Sequence, residues 1–257
     1  MADTLLEIKD LCVQFGGLSA LERVSFAVSP GEIVGLIGPN GAGKTTVFNL
    51  ITGIYPPTSG SVTLNGRTIS GKKTHLIFQS GVARTFQNIR LFKKLSVLDN
   101  VRIAAHSQMR YGPLTGALRL PGYWRDESET TARAMDMLGI FDLAGYAEAT
   151  ASSLPYGAQR RLEIARALIS RPRLLLLDEP AAGMNPTETR ALMSTIREVR
   201  DRFGVAILLI EHDMRLVMGI CERLVVLDYG QVIAAGAPDE IRRDERVVKA
   251  YLGGSAV

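Results

Sequence analysis

The stretch GPNGAGKTT, Gly38 to Thr46, decides how this chain folds. It satisfies G-x-x-x-x-G-K-[ST] through Gly38, Gly43, Lys44 and Thr45. The apolar run EIVGLIG at 32–38 enters it, and TTVFNLITG at 45–53 leaves it with helical spacing. Strand, glycine loop and helix in that order form a phosphate cradle. Glycines let backbone N–H groups turn inward around phosphate oxygens, and the helix start adds its positive end. Lys44 supplies a charge for terminal phosphates. The Thr45 hydroxyl suits Mg²⁺, a hard ion that takes oxygen ligands. Pro39, Asn40, Gly41, Ala42 and Thr46 complete the ATP-binding loop. An isolated glycine turn with an exposed lysine would not need the flanking strand and helix.

A matching half lies at 174–180, LLLLDEP. Four leucines make a buried strand that delivers Asp178 at its carboxyl end, where ligands sit in a parallel sheet. Asp178 is therefore a candidate for Mg²⁺, directly or through water. Glu179 follows, on the opposite side of an extended chain, where a carboxylate can polarise a water for attack on the γ-phosphate. Alone, LLLLDEP reads as a buried strand ending in a solvated acidic turn. The phosphate loop changes that reading.

Outward from these two stretches the pattern is regular. Apolar strands alternate with helices through RLLLLDEP, TRALMSTIREVRDRF, VAILLIEHD, MRLVMGICE and RLVVLDYG. That alternation predicts a mainly parallel sheet flanked by helices, and the phosphate loop within it makes that sheet the core of a P-loop nucleotide hydrolase. LEIKDLCVQF and ALERVSFAVS add an N-terminal antiparallel β portion. The middle is helical, with LSVLDNVRIAAH and ESETTARAMDMLGIF. The predicted organisation is one domain over 1–257: an α/β lobe at 1–87 and 168–233, a helical lobe at 88–167, and a tail at 234–257 whose ending, GGSAV, should fray.

Composition bounds the function. The chain has 257 residues, 46% of them hydrophobic and 22% charged, which suits a globular domain with a real core. No run reaches the roughly 20 apolar residues of a membrane span. VAILLI at 205–210 has the length of a buried strand. The start, MADTLLEIKD, lacks the apolar region of a secretory signal. Cys12 and Cys221 suggest neither a disulfide framework nor metal spacing, and a reducing compartment fits. A net charge of +4 reads as a solvated surface, with no nucleic-acid partner expected.

Leu154 to Leu168 reads LPYGAQRRLEIARAL. A proline, a tyrosine and a glycine precede a helix, with proline placed in its first turn, a favourable position. No acid, base or nucleophile stands among them. With the phosphate loop and the DEP strand, in that order, this stretch resembles the signature of ABC transporter ATP-binding subunits, usually written LSGGQ. The resemblance covers nearly the whole chain. It implies that Leu154, Pro155, Tyr156, Gly157, Ala158 and Gln159 close over ATP held by a second subunit in a head-to-tail homo- or heterodimer. The role is electrostatic: a glycine lets backbone approach phosphate, and a helix start aims its N–H groups at the anion. Pro155 departs from the family serine whose hydroxyl meets the γ-phosphate, which puts that contact in doubt. Ala158 departs from a usually polar residue.

The resemblance also implies further roles. Phe15, in VQFGG, matches the aromatic that stacks on adenine. Gln87, in ARTFQNIRLF, matches the glutamine that ligates Mg²⁺ and senses the membrane partner. His212, in LLIEHDM, matches the histidine that contacts the γ-phosphate and is catalytic with Glu179. Asn185 stands where many relatives carry an aspartate at the dimer interface. IRLFKKLS at 89–96 falls where membrane subunits dock, with Phe92 and Leu95 either filling that dock or forming lobe core.

TFQNIRLF, EPAAGMNPTET, LLIEHDMRLVMGICERLVVLDYG and VVKAYLG resemble the ATPase of branched-chain amino-acid importers. His106 to Arg125 resembles an insertion of that branch, read as a surface loop. The implied partners are a second ATPase subunit, two integral-membrane permease subunits and, indirectly, a periplasmic or surface substrate-binding protein. The implied location is peripheral, on the cytoplasmic face of the inner membrane. ATPases of a lipopolysaccharide exporter or a urea or amide importer are the alternatives. A soluble ABC-type ATPase of DNA repair or translation would call for long coiled coils or tandem ATPase domains. A plain P-loop kinase would have no use for LPYGA.

Overall fold

The computed structural model describes residues 4–105 and 121–253. They divide into two compact units, one running to Gln87 and resuming at Arg173, the other Asn88–Pro172.

The first unit is built on two sheets. β1 (Leu6–Phe15) and β2 (Leu18–Val28) form an antiparallel pair, and β3 (Ile33–Ile37) leads to the phosphate loop and α1 (Lys44–Ile51). β4 (Ser59–Leu64), β5 (Arg67–Thr68), α2 (Thr74–Gln79) and β6 (Val82–Arg84) follow. After the second unit come β7 (Leu174–Asp178), α6 (Pro186–Phe203), β8 (Ala206–Ile210), α7 (Met214–Ile220), β9 (Arg223–Asp228) and β10 (Gln231–Gly236). Two short helices end the described chain, α8 (Pro238–Ile241) and α9 (Glu245–Gly253). The second unit holds α3 (Val97–Ala105), α4 (Pro121–Ile140) and α5 (Tyr156–Leu168).

The four-stranded sheet, β2-β1-β4-β5, is antiparallel. The six-stranded sheet has the order β10-β9-β3-β8-β7-β6 and is parallel except for β10. Every residue of β3, β7 and β8 is buried. These strands are continuous apolar runs because both of their faces are covered. β1 instead alternates, and its register slips at Ile8/Leu11, next to Asp10 at φ +46°. The fold is the α/β class expected from the sequence, with its antiparallel portion and inserted helices.

The helical unit closes at Pro172 rather than at 167, because Arg173 and Leu174 both donate to Gly81 O, at 2.8 and 3.0 Å, and so belong to the sheet. Its core gathers Val97, Val101, Leu138, Phe141 and Leu162. Arg160 and Glu163, both fully buried, pair at 2.8 Å inside it. Of His106 to Arg125, residues 106–120 lie outside the described residues. Tyr123 and Trp124 belong to α4 and meet edge to face at 5.2 Å. Residues 254–257 of the GGSAV ending also lie outside. Among the described residues no helix is long and apolar enough to cross a membrane.

Cys221 is buried at the end of α7, and burial pushes its thiol up to about 12. Since the thiolate is the reactive form, Cys221 should resist alkylation at about pH 8 until the chain unfolds. Mass spectrometry after a native iodoacetamide pulse checks this. Labelling of Cys221 as fast as in denaturant would contradict its burial.

Candidate functional site

The phosphate loop sits at the carboxyl end of β3, between β9 and β8. Gly38, at φ +149°, lies so close to β9 that an added Cβ would stand 2.0 Å from Leu227 O. Gly43, at φ +102°, serves as the N-cap of α1 and has Leu21 and Ala20 against it. Neither position tolerates a side chain, which explains the two glycines of the motif. Lys44 is buried and donates from Nζ to Gly38 O at 2.7 Å and Pro39 O at 2.8 Å, so the lysine folds the loop around itself. Burial lowers its pKa, opposed by the charge of Glu179. No side chain caps α1, and no acid stands in its first turn. Val47 is the first residue to bond back, to Gly43 O. The amides of Lys44, Thr45 and Thr46 thus lie at an open, positive helix end.

Asp178 and Glu179 close β7 beside this loop. Asp178 is buried, and its Oδ2 accepts from Arg84 Nη2 at 2.7 Å. Arg84 also reaches Asn49 Oδ1 at 2.8 Å, and its guanidinium lies over the ring of Phe48 at 5.4 Å and that of Phe86 at 5.0 Å. Glu179 adopts φ +47°, a left-handed conformation rare for a glutamate. Its N–H donates to Ile210 O at 2.9 Å. Its carboxylate is held from two sides: Gln87 Nε2 donates to Oε2 at 2.7 Å, and His212 Nε2 meets Oε1 at 2.9 Å. Gln87, Glu179 and His212, scattered over the sequence, are therefore one cluster. Glu211, next to His212, is buried; burial raises its pKa, opposed by hydrogen bonds from the backbone amides of Ala181, Asp213 and His212.

The other expected residues are placed as follows. Phe15 is half exposed and meets Tyr55 edge to face at 5.1 Å. Asn185 caps α6: its Oδ1 accepts from Thr187 and Glu188 N–H, while Glu188 Oε2 accepts from Asn185 N–H. That capping box occupies the side chain in the single chain. In the helical unit, Leu154 is buried and Pro155 is the N-cap of α5 at φ −54° and ψ 152°, not a residue of the first turn. The helix opens at Tyr156, whose ring is exposed, followed by the buried Gly157 and Ala158. Gln159 turns back, with Nε2 donating to Leu154 O at 2.8 Å. No side chain caps α5, and no acid stands in its first turn. Phe92 is 48% exposed and Leu95 is 37% exposed, so neither is lobe core; Leu91 is the buried neighbour.

The donor set fits a magnesium nucleotide. Thr45 is exposed at the start of α1, Asp178 offers a carboxylate, and Gln87 an amide whose oxygen is a hard ligand. Among the described residues no group of three or more His, Cys, Asp or Glu could hold a metal alone. Sequence reasoning missed Arg84 and Glu211. Each carried a signal: a charged residue within the short strand VAR, and an acid directly after five apolar strand residues.

Comparison with known proteins places this architecture. The family model described as ABC transporter matches residues 21–182, and that described as Branched-chain amino acid ATP-binding cassette transporter matches 231–257. The chain is 48% identical over 253 residues to the high-affinity branched-chain amino acid transport ATP-binding protein LivG of Salmonella typhimurium, covering 98% of this chain and 99% of LivG. It is 36% identical over 248 residues to the lipopolysaccharide export system ATP-binding protein LptB of Escherichia coli, covering 96% and 97%. A crystal structure of an ATP-binding cassette of an ABC transporter in its ADP conformation superposes with a TM-score of 0.85 at 30% identity, over 97% of this chain and 99% of that one. This chain belongs to the ABC transporter family as an ATP-binding cassette, and it is an ATPase.

Arg84→Met should show what the buried pair contributes. Removing one partner of a buried ion pair costs about 3–5 kcal/mol, or roughly 6–20 °C in melting temperature for a chain of this size. Differential scanning fluorimetry without nucleotide measures it, and an unchanged melting temperature would count against the pair as a structural tie.

Proposed function

We propose that this chain is the ATP-binding and ATP-hydrolysing subunit of an ABC importer for branched-chain amino acids. The observation that carries the hydrolytic reading is the Gln87–Glu179–His212 cluster, assembled beside the phosphate loop. The importer reading is supported by the similarity to LivG along nearly the whole chain and by the match at 231–257. The lower identity to LptB disfavours an exporter. An importer of urea or short amides remains the second reading, since this subunit never touches the cargo.

The residues divide the work. The amides from Gly41 to Thr46 and the Lys44 ammonium bind and orient the phosphates, and Phe15 offers its exposed ring to adenine. Thr45, Asp178 and Gln87 would hold Mg²⁺, which supplies positive charge against the phosphate oxygens. Glu179 takes the proton of a water as the water oxygen bonds the γ-phosphorus and the bond to the ADP oxygen breaks. His212 fixes the Glu179 carboxylate through Oε1 and would donate to a phosphate oxygen once nucleotide is bound. The N–H groups of Tyr156, Gly157 and Ala158 would clamp ATP held by a second copy or a related subunit, with Asn185 at the same interface. Pro155 has neither a hydroxyl nor an N–H and adds no donor there. The assembled transporter has two permease subunits, whose docking surface includes Phe92 and Leu95. A periplasmic or surface binding protein delivers the substrate. The ATPase then lies peripherally on the cytoplasmic face.

Three substitutions test this. Glu179→Gln should retain ATP binding, lower turnover by about 10²–10⁴-fold and accumulate an ATP-bound dimer in sedimentation; rapid turnover would remove Glu179 from the chemistry. Lys44→Ala should lose nucleotide binding altogether, so the pair of variants separates binding from hydrolysis. Phe92→Ala should keep the ATPase rate of the isolated subunit within about threefold, since an exposed ring contributes little to the fold, while uptake of labelled leucine by the assembled transporter collapses. Equal losses in both assays would return Phe92 to a structural role. Uptake of urea or acetamide, rather than leucine, isoleucine or valine, would reassign the substrate.

A further inference from the structure

Glu211 is a buried acid with no assigned task. It follows β8 directly and precedes His212. Its Oε1 accepts the Ala181 N–H at 2.7 Å, and its Oε2 accepts those of His212 at 3.0 Å and Asp213 at 3.3 Å. Its donors are backbone amides from two different loops. Ala181 stands two residues past Glu179, in the loop after β7. His212 and Asp213 begin the loop after β8.

The position matters because the sheet ends here. Asp178 still pairs with Ile210 in the parallel ladder, and Glu179 N–H makes the next bond, to Ile210 O. Beyond that bond the two loops leave the ladder, and the Glu211 side chain spans them. Just outside this span the side chains of Glu179 and His212 meet at 2.9 Å. An apolar residue would fill the same space without the desolvation penalty of a carboxylate, so burial alone does not account for an acid here. Two acceptor oxygens aimed at two loops do.

We propose that Glu211 is a positioning residue for ATP hydrolysis. It fixes the spacing between the loop carrying Glu179 and the loop carrying His212, and so holds the hydrogen bond between those two side chains. The proposal rests on the hydrolytic reading of Glu179. It is distinguishable from that reading, because a fast Glu179→Gln variant overturns the latter without any change at Glu211.

Glutamine is the informative substitution. It matches glutamate in size, but only one end of its amide accepts a hydrogen bond. It can serve Ala181 or the His212 and Asp213 amides, not both, and its NH₂ would face the remaining N–H. Turnover of the full-length Glu211→Gln variant should fall by roughly 3- to 100-fold, the range of coupling between residues in one network, with the KM for ATP within about threefold. Binding of a fluorescent ATP analogue, measured separately, should stay close to wild type. The deciding comparison is a double-mutant cycle with His212→Ala. In that background Glu211→Gln should cost less than about twofold, because the hydrogen bond it protects is already gone. A merely structural acid would lower turnover by the same factor in both backgrounds, and that result overturns the proposal. Undiminished turnover in Glu211→Gln overturns it as well. Should the glutamine variant fail to fold, Glu211→Asp replaces it. Its carboxylate is one methylene shorter, keeps its own loop's amides and falls short of Ala181. The same pattern in the cycle is expected, and wild-type turnover in Glu211→Asp would sink the idea.

Discussion

The hydrogen bond from Glu179 N–H to Ile210 O extends the parallel ladder one step beyond β7 and β8. The meeting of the two catalytic loops depends on that extension. It places Glu179 and His212, 33 positions apart in the chain, on neighbouring loops whose side chains touch. At that step Glu179 adopts φ +47°, a conformation that costs on the order of 1–3 kcal/mol for a residue with a Cβ. Such a conformation persists only where its surroundings over-determine it. Here Ile210 O holds the backbone, while Gln87 and His212 hold the carboxylate.

Electrostatics beneath the site point the same way. Lys44 and Asp178 are both buried at the carboxyl end of one sheet, the lysine beyond β3 and the aspartate ending β7, with β8 between those strands. Their charges are not left bare. Carbonyls of the loop receive Lys44, and Arg84 receives Asp178. Arg84 is in turn fixed by Asn49 of α1 and by two aromatic rings. The phosphate-loop helix, the edge strand β6 and the acid-bearing strand β7 are therefore tied by one guanidinium, whose planar fork can serve several acceptors at once. A lysine at this position would offer a point charge and could not reproduce that geometry.

How much of this was legible in the sequence follows from how local each signal is. The phosphate loop is contiguous, and its glycines, lysine and threonine could be named outright. The buried parallel strands were equally legible, since LLLLD and AILLI leave no polar face. The contact between Glu179 and His212 was not, because it depends on β7 lying beside β8, a matter of strand order. Arg84 was hidden for a similar reason: its partners, Asn49 and Asp178, lie 35 and 94 positions away. Pro155 shows the limit at a boundary. One residue's difference in where α5 begins moves it from the first turn to the N-cap. Asn185 shows a competition between readings. Its side chain closes a capping box that the spacing N-x-x-E could have announced, and an interface role must share it.

The two units differ in chemical character, and that difference bears on why such a chain would work as a pair. The sheet unit carries the acid, the histidine, the glutamine and the lysine. The helical unit, at the start of α5, offers backbone donors alone: an uncapped helix end with a glycine at its second position and a proline cap that adds none. An open helix terminus binds any anion of suitable shape, and without one it is satisfied by water. A polyphosphate already held on a phosphate loop is such an anion, carrying charge that one loop cannot surround. On the proposed reading, nucleotide is then shared between the chemically active surface of one subunit and the donor-only surface of another. Once the cleaved phosphate has left, the charge that the second surface would bind is gone. Chemistry at Glu179, followed by loss of the phosphate, would thereby loosen the proposed interface, and a catalytic step would become a mechanical one.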